Sequence, residues 1–341
     1  MEQGNYKWMV CVRCFTYNQS KFIVDAMNGF ALQQTNYPYV CCIIDDASTD
    51  GEQDVIKKYL LDNFDIDNKA AICNQDKDDY ILSFAQHNTN KNCYFAVLFL
   101  KTNHYSIKRP KMQYLEDWIN KSKYCALCEG DDYWIDAHKL QRQVDLLESD
   151  NDCSLCYHAC KNVYDDNFKE KQSNICESVP EHLTYKDFLP GYPFQTASVL
   201  YRASLHNSQL YKMVYSTGGM SSAIFFITIG QFGYFRGFNE QMSVYRRNAG
   251  GISVATKNET LKLYISTQVK ICGLFASRAK YYMIFNSIGP ILFSLFLNSR
   301  KDFYPIASSA IKTHPSILIS LCIHSAKICL NKLLCRIMPS K

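Results

Sequence analysis

The sequence lacks several features that mark common classes of protein. The segment from Met1 to Trp8 has no basic stretch followed by an apolar one, so no secretory signal is expected. The longest uncharged apolar stretches, around 288–297 and 317–323, are too short to span a bilayer. There is neither a Walker-type phosphate loop nor a G-x-G-x-x-G pattern. The missing glycine-rich, basic nucleotide loop also argues against a nucleotidyltransferase, which we keep only as a remote alternative.

Acidic residues are almost missing from the last eighty residues, where Asp302 stands against eleven Lys or Arg. Because the whole chain carries +5, this segment carries about +10 and residues 1–259 about −5. Such a basic segment favours contact with anionic lipid or a phosphate-bearing partner. A helix over 316–338 would be apolar except for a narrow polar stripe, which favours an interfacial helix over packing against the body or a second copy. The stripe comprises Ser320, His324, Lys327, Asn331 and Lys332.

The 16 cysteines are expected to be reduced, because no secretory signal is expected. Three pairs have C-x-x-C spacing: Cys11/Cys14, Cys125/Cys128 and Cys153/Cys156. All three pairs lie in strand-like runs, where residues i and i+3 point to opposite faces. We therefore interpret them as small apolar core residues and not as zinc ligands.

The first half of the chain alternates between strand and helix patterns, which predicts an α/β fold with a mostly parallel, doubly wound sheet. Strands are predicted at 8–15, 39–45, 70–73 and 123–128, and helices at 20–34, 52–64 and 137–148, the last capped by Asp136. Residues 75–122 are interpreted as polar and irregular around one apolar run, 94–100. The pattern therefore assigns the nucleotide-binding half of the fold to residues 1–150.

The second half is interpreted as the acceptor side of the same domain, over 151–255. Strands are predicted at 154–157, 196–201 and within 233–245, and a helix at 221–230. Residues 256–341 are predicted to form a helical tail that associates with a membrane or packs, with helices broken at Pro290, Pro305 and Pro315.

Three polar clusters follow predicted strands, at 16–19, 45–51 and 129–132. Ligands gather at the carboxyl ends of strands in such sheets, so the clusters are expected to share one cleft. Asp131 and Asp132, with Glu129 nearby, repel each other unless a cation lies among them. Hard divalent cations such as Mn²⁺ or Mg²⁺ suit these oxygens and often share them with phosphates. Tyr133 and Trp134 add flat faces for a sugar ring, so we predict a metal–diphosphate site.

Four segments together resemble family 2 glycosyltransferases, which have the GT-A fold and use nucleotide-sugar donors. The segments are Cys14-Phe-Thr-Tyr-Asn-Gln19, Cys42-Ile-Ile-Asp-Asp-Ala-Ser-Thr-Asp-Gly51, Ala126-Leu-Cys-Glu-Gly-Asp-Asp-Tyr-Trp134 and Met242-Ser-Val-Tyr-Arg-Arg-Asn-Ala-Gly-Gly-Ile-Ser253. The resemblance covers roughly residues 8–255. It implies a transfer of sugar from a nucleotide diphosphate, UDP being the expected carrier, to a hydroxyl group.

The resemblance also implies a role for each matching residue. The nucleotide would be bound by Thr16, Tyr17, Asn18, Asp45, Asp46 and Asp131, with Asp46 on the base. Asp131 and Asp132 would hold the metal, and Glu129, Tyr133 and Trp134 would line the donor and acceptor cleft. Arg246 and Arg247 would hold diphosphate charge or an anionic acceptor.

The chain departs from the family pattern where the general base is expected, because that position is Gly219. Asp187 and Glu240 are candidate substitutes. The histidine of the closing loop is Asn248, and no donor-binding arginine segment is evident in 86–100.

We therefore expect a metal-dependent, inverting transferase at the cytoplasmic face of the cell membrane, acting on a lipid-linked or polysaccharide acceptor and not on nucleic acid. The alternative is a catalytically impaired nucleotide-sugar-binding subunit of a glycan-assembly complex, which Gly219 favours.

Overall fold

The fold is taken from a computed structural model, which describes residues 6–164, 176–187, 193–217, 222–247 and 258–337. The chain divides into two compact units. The first comprises residues 1–183, 193–207 and 232–249, and the second comprises 184–192, 208–231 and 250–341.

The described residues of the first unit form one eleven-stranded sheet. Its strands are β1 (Trp8–Thr16), β2 (Tyr39–Asp45), β3 (Ile72–Asp76), β4 (Tyr80–Gln86), β5 (Cys93–Leu100), β6 (Ser122–Leu127), β7 (Tyr133–Trp134), β8 (Cys153–Tyr164), β9 (His182–Leu183), β10 (Leu200–Arg202) and β11 (Tyr234–Arg247). The order is β3-β4-β5-β2-β1-β6-β10-β8-β11-β7, with β9 paired to β11. The central strands β5, β2, β1 and β6 are parallel, as are β8 and β11. The expected α/β fold with a mostly parallel sheet is confirmed.

The central strands are buried on both faces, which explains their almost continuous apolar sequence. The helices of this unit are α1 (Ile23–Ala31), α2 (Glu52–Asn63), α3 (Glu116–Asn120) and α4 (Lys139–Ser149). Side chains of α1, α2 and α4, such as Phe30, Ile56 and Leu140, enter the same apolar cluster as the strands. This burial holds the ends of β1, β2 and β6 in fixed positions.

All cysteines of the first unit whose side chains are described are free thiols. The three C-x-x-C pairs are buried among the strands, and burial raises the pKa of the Cys14, Cys125 and Cys156 thiols. They serve as small apolar core residues, as interpreted from the sequence.

The second unit is helical. Its helices are α5 (Gln209–Ser216), α6 (Ser222–Ile229), α7 (Asn258–Cys272), α8 (Ser277–Met283), α9 (Gly289–Asn298), α10 (Arg300–Thr313) and α11 (Ser316–Ile337). Among the described helices, none combines the length and the apolar character needed to cross a membrane. The expected helical C-terminal region is present. The predicted break at Pro305 is wrong, because α10 continues through that residue.

The interpretation of residues 75–122 as irregular is wrong. They contain β4, β5 and α3, and residues 93–99 of β5 pair in parallel with the whole of β2. The predicted cap of α4 by Asp136 is also wrong. The Asp136 side chain instead accepts a hydrogen bond from the backbone N–H of His138 (2.7 Å), one residue before the helix begins.

Candidate active site

The three polar clusters lie at one edge of the sheet. β1 lies between β2 and β6, and all three run in the same direction, so their carboxyl ends are neighbours. The backbone N–H of Asp46 donates to the carbonyl of Thr16 (3.0 Å), and that of Gly130 donates to the carbonyl of Phe15 (3.1 Å). The carboxyl end of β1 therefore contacts both carboxylate-bearing loops, and the three clusters lie next to one another.

Because Gly130 has no side chain, the third loop can pack closely against the first. A Cβ atom at this position would lie 2.4 Å from Thr16 Oγ1 and 2.5 Å from Gln19 Oε1. A larger residue would push the third loop away from the first. The glycine within the Glu-Gly-Asp-Asp motif is therefore a packing requirement of the site.

Glu52, the first residue of α2, joins the first two loops. Its buried carboxylate accepts hydrogen bonds from Thr16 Oγ1, from the backbone N–H of Gln19 (2.8 Å) and from Ser48 Oγ (2.8 Å). Burial raises the pKa of Glu52, although these hydrogen bonds oppose the shift. The loops are thus held together by a buried acid that has hydrogen-bond partners on both of them.

Replacing Glu52 by Ala should lower the free energy of unfolding by about 1–3 kcal/mol, because the partly buried N–H of Gln19 loses its acceptor. Glu52→Gln should be milder, since its amide oxygen can still accept that bond. Burial raises the folded-state pKa of Glu52, so its contribution falls as pH rises from the ordinary glutamate pKa towards the raised value. In chemical denaturation at pH 5 and pH 8, the free energy of unfolding of Glu52→Gln should therefore rise relative to that of the native protein at the higher pH. Equal pH dependence of the two proteins would contradict this.

Asp46, the predicted contact to the base, is fully buried beneath the segment after β5. Its Oδ1 accepts from the backbone N–H of His104 (2.6 Å), and its Oδ2 accepts from the N–H of Tyr105 (3.1 Å) and from Lys111 Nζ (2.8 Å). Asn103 also donates to the Asp46 carbonyl (2.9 Å). The segment 101–111 therefore neutralises this carboxylate and holds it in place.

The same segment is anchored at the surface by a hydrogen-bonded chain. The ring of His104 contacts the hydroxyl of Tyr114 (2.8 Å), and that hydroxyl donates to Asp79 (3.0 Å). Asp79 also receives two hydrogen bonds from the guanidinium of Arg109, at 2.6 and 2.7 Å. The Arg109 guanidinium and the Tyr114 hydroxyl hold the pKa of Asp79 below its usual range. These four side chains thus hold the 101–111 segment in place beside Asp46.

Asp45 is buried next to Asp46 at the end of β2. Its Oδ2 accepts from Gln53 Nε2 (2.6 Å) and from the backbone N–H of Ser48 (3.2 Å), whereas its Oδ1 has no hydrogen-bond partner. Burial raises the pKa of Asp45. Asp45 therefore holds the second loop in place through buried hydrogen bonds. Tyr17 and Asn18 of the first loop are exposed.

The carboxylates of the third loop have different surroundings. Glu129 accepts from the Arg13 guanidinium and from the backbone N–H of Phe15 (3.1 Å), so it joins this loop to β1. Asp131 is half-buried and Asp132 is 3% exposed. Burial raises the pKa of Asp132, and the charge of Asp131 raises it further. A second negative charge at this adjacent pair is therefore unfavourable unless a cation lies beside it.

Arg246, near the end of β11, holds this carboxylate pair from the other side. Its backbone N–H donates to Asp132 Oδ1 (2.9 Å), and its guanidinium donates to the Asp131 carbonyl (2.9 Å) and to Asp25 on α1 (2.8 Å). The guanidinium also lies over the rings of Phe22 and Tyr133, at 4.5 and 5.0 Å. Its side chain is largely buried. Arg246 thus connects α1, β11 and the acidic motif.

The prediction that Trp134 lines the cleft is wrong. Its side chain is 1% exposed, its indole N–H donates to the Ala197 carbonyl (2.8 Å), and its ring packs against Phe30. The buried ammonium of Lys139 lies over the same ring at 4.0 Å, and burial lowers the pKa of that lysine to about 8. Neighbouring residues of a strand face opposite ways, so when Trp134 enters the core Tyr133 stays at the edge. Tyr133 is half-buried.

The remaining predicted residues have other positions. Gly219 and Asn248 lie outside the described residues. Arg247 is half-buried beside the ring of Tyr245. Glu240 pairs with Arg142 (2.7 Å). In the second unit, Asp187 accepts hydrogen bonds from the N–H and hydroxyl of Thr184. The contacts of Asp187 and Glu240 are those of structural residues, so we assign the general base to neither.

Sequence reasoning missed Arg13, Asp25, Glu52 and Lys111. Arg13 could have been found, because a charged residue interrupts an otherwise apolar strand. Glu52 could also have been noticed as an acid directly after the glycine that ends the second loop. Nothing in the local sequence of Lys111 indicates its partner, which lies 65 residues away.

No protein-family model matches this chain. Over 252 residues the chain is 29% identical to two uncharacterized proteins, Rv1520 of Mycobacterium tuberculosis and Mb1547 of Mycobacterium bovis. Each alignment covers 70% of this chain and 58% of the relative. The chain thus spans little more than half the length of the curated relatives it matches.

Similar solved structures include two of S. aureus TarS, residues 1–349. The complex with UDP-GlcNAc has a TM-score of 0.56 and 15% identity, over 89% of this chain and 81% of that chain. The second TarS structure has a TM-score of 0.52 and 14% identity, over 90% of this chain and 80% of that chain. At this level of identity the similarity establishes the fold alone, and the chain shares the fold of these TarS structures.

Proposed function

We propose that this protein is a metal-dependent glycosyltransferase of the family 2 type. It transfers a sugar from a nucleotide diphosphate, with UDP the expected carrier, to a hydroxyl of a cell-surface glycan precursor, with inversion. The observation that carries the proposal is the convergence of three polar loops, from β1, β2 and β6, on one edge of a glycosyltransferase fold. The complex of the similar TarS structure with UDP-GlcNAc supports a nucleotide-sugar donor.

The chemistry of the third loop fits a divalent cation. In the described part of the chain, no group of three or more His, Cys, Asp or Glu is arranged to hold a metal. Mg²⁺ is commonly bound through one or two carboxylates together with substrate phosphates. Asp131 and Asp132 are such a pair, and the raised pKa of Asp132 reflects negative charge that a cation would offset. We therefore expect Mn²⁺ or Mg²⁺ to bind together with the donor diphosphate.

In the proposed reaction the acceptor hydroxyl oxygen bonds to the anomeric carbon as the bond to the diphosphate breaks, the nucleoside diphosphate leaves, and the hydroxyl proton is released to solvent. The cation would act as a Lewis acid for the departing diphosphate. Asp131 and Asp132 would hold it, and Glu129, Arg13 and Arg246 would keep their loop rigid through the contacts described above. Tyr17 and Asn18, exposed on the first loop, would contact the nucleotide, whereas Asp46 would act mainly by fixing the 101–111 segment.

The test is hydrolysis and binding of UDP-, GDP- and dTDP-sugars by the full chain, with Mn²⁺ or with EDTA. We expect hydrolysis of at least one donor to fall by about 100-fold or more in EDTA and to recover when Mn²⁺ is restored. Neither binding nor turnover of any donor in the presence of metal would overturn the proposal.

A second candidate function is a nucleotide-sugar-binding subunit without its own chemistry, favoured by Gly219 at the position expected for the general base. It predicts metal-dependent donor binding without turnover. The Gly219→Asp variant separates the two candidates, because a large gain of transfer would indicate a lost base. An active native protein that is unchanged by this substitution would exclude the subunit role.

A further inference from the structure

The outward face of α11 is apolar. Leu318 and Ile319 are 52% and 57% exposed, and Cys322 and Ile323 one turn later are exposed as well. These four positions fall on one side of the helix, because residues spaced by three and four share a face. A helix of a water-soluble domain normally directs its polar side chains to this position.

The inward face of α11 carries Ser320 together with the apolar residues Ile317 and Leu321. Ser320 is fully buried, and its hydroxyl donates to the Ile284 carbonyl (3.2 Å). A Cβ atom on Gly289 would lie 2.0 Å from Ser320 Oγ, so α9 and α11 approach closely at this point. The ring of His324, on the same side, contacts the Ser320 carbonyl (2.9 Å). This packing fixes the rotation of α11 and leaves its apolar face outward.

The segment that contains α10 and α11 is basic, with eleven Lys or Arg and one acid after residue 260. Arg300, Lys301 and Lys312 of the preceding helix α10 are exposed. Asp302, the only acid after residue 260, already accepts a hydrogen bond from Ser299 (2.8 Å) at the start of α10. A second copy of this face would bring a second basic segment close and be repelled, whereas anionic headgroups would be attracted.

We propose that the outward face of α11 is a membrane-binding surface. Leu318, Ile319 and Ile323 enter the boundary between headgroups and acyl chains, and the cations of α10 pair with anionic lipid. This membrane binding would bring the protein to the bilayer, where a lipid-linked acceptor would lie. It does not depend on the proposed transfer reaction.

The test is co-sedimentation of the full chain with vesicles of phosphatidylcholine alone or mixed with phosphatidylglycerol, in the absence of nucleotide sugar. We expect binding to the anionic vesicles and at least a tenfold weaker partition for Leu318→Ser/Ile319→Ser, since burial of each large apolar side chain is worth about tenfold. Lys312→Gln should weaken binding to anionic vesicles about fivefold. Leu61→Ser is the matched control, because Leu61 is a similarly exposed leucine (62%) on α2.

Three outcomes would overturn the proposal: no binding to either vesicle, unchanged binding of the double variant, or equal losses for the double variant and Leu61→Ser. Sedimentation equilibrium without lipid adds a further check. A native dimer that becomes a monomer in the double variant, with no vesicle binding, would assign the face to a second copy. Thermal unfolding confirms that each variant is folded, and because no donor is present, failure here leaves the proposed transferase function standing.

Discussion

Replacing Asp132 by Asn should abolish metal-dependent donor turnover while making the metal-free protein more stable. The Asp132 carboxylate is buried beside Asp131, and both burial and that neighbouring charge disfavour its ionised form. Asn removes the charge, yet its side-chain oxygen can still accept the hydrogen bond from the Arg246 N–H. The loss of a metal-binding carboxylate should lower turnover by more than about 100-fold. If Asp132 served only stability, Asp132→Asn would instead lower the free energy of unfolding.

The measurements are donor hydrolysis with Mn²⁺ and thermal unfolding with and without Mn²⁺ plus UDP. The native protein should be stabilised by the pair of ligands, because they bind the folded state, whereas Asp132→Asn should not respond. Asp117→Asn is the control, because Asp117 is an exposed partner of Lys121 on α3 and neutralises one carboxylate without touching the loops. Turnover of Asp132→Asn within about threefold of the control would show that Asp132 does not hold the metal.

The parts of the fold that could be predicted from sequence are those with local signals. β1, β2 and β6 are buried strands, so each contains a mainly apolar run, interrupted in β1 by Arg13, that ends abruptly in polar residues. Because parallel strands share one edge for their carboxyl ends, the meeting of the three loops follows from that pattern. The central position of β5 does not follow from that pattern. Its apolar run is evident in the sequence, but its pairing with β2 joins residues about fifty positions apart.

The site itself was only partly predictable, because hydrogen-bond partners are not encoded locally. The sequence identified Asp46, but its partners His104, Tyr105 and Lys111 lie 58–65 residues further along. Trp134 shows a second limit. A two-residue strand has no alternation long enough to reveal which side chain enters the core, so Tyr133 and Trp134 were assigned to the same cleft.

The role of Arg246 can be decided by its partner Asp25. The resemblance to family 2 glycosyltransferases implied that Arg246 holds diphosphate charge, whereas the structure gives its guanidinium two protein acceptors, Asp25 and the Asp131 carbonyl. These contacts describe a positioning residue, which keeps the loop bearing Asp131 and Asp132 in place. The two roles predict opposite effects of removing Asp25. If Arg246 binds the diphosphate, removal of the Asp25 carboxylate would free its guanidinium for the ligand. If Arg246 positions the loop, the same change would remove one of the contacts that hold it in place.

We therefore expect Asp25→Asn to raise the donor KM about threefold and Arg246→Lys to raise it about tenfold, with smaller changes in kcat. The double variant should be no worse than Arg246→Lys alone, because both changes break one contact, and the resulting coupling would be about 0.7 kcal/mol. Arg142→Lys is the control, since Arg142 pairs with Glu240 and touches none of the three loops. Tighter donor binding by Asp25→Asn, or additive losses in the double variant, would instead assign Arg246 to direct contact with the diphosphate.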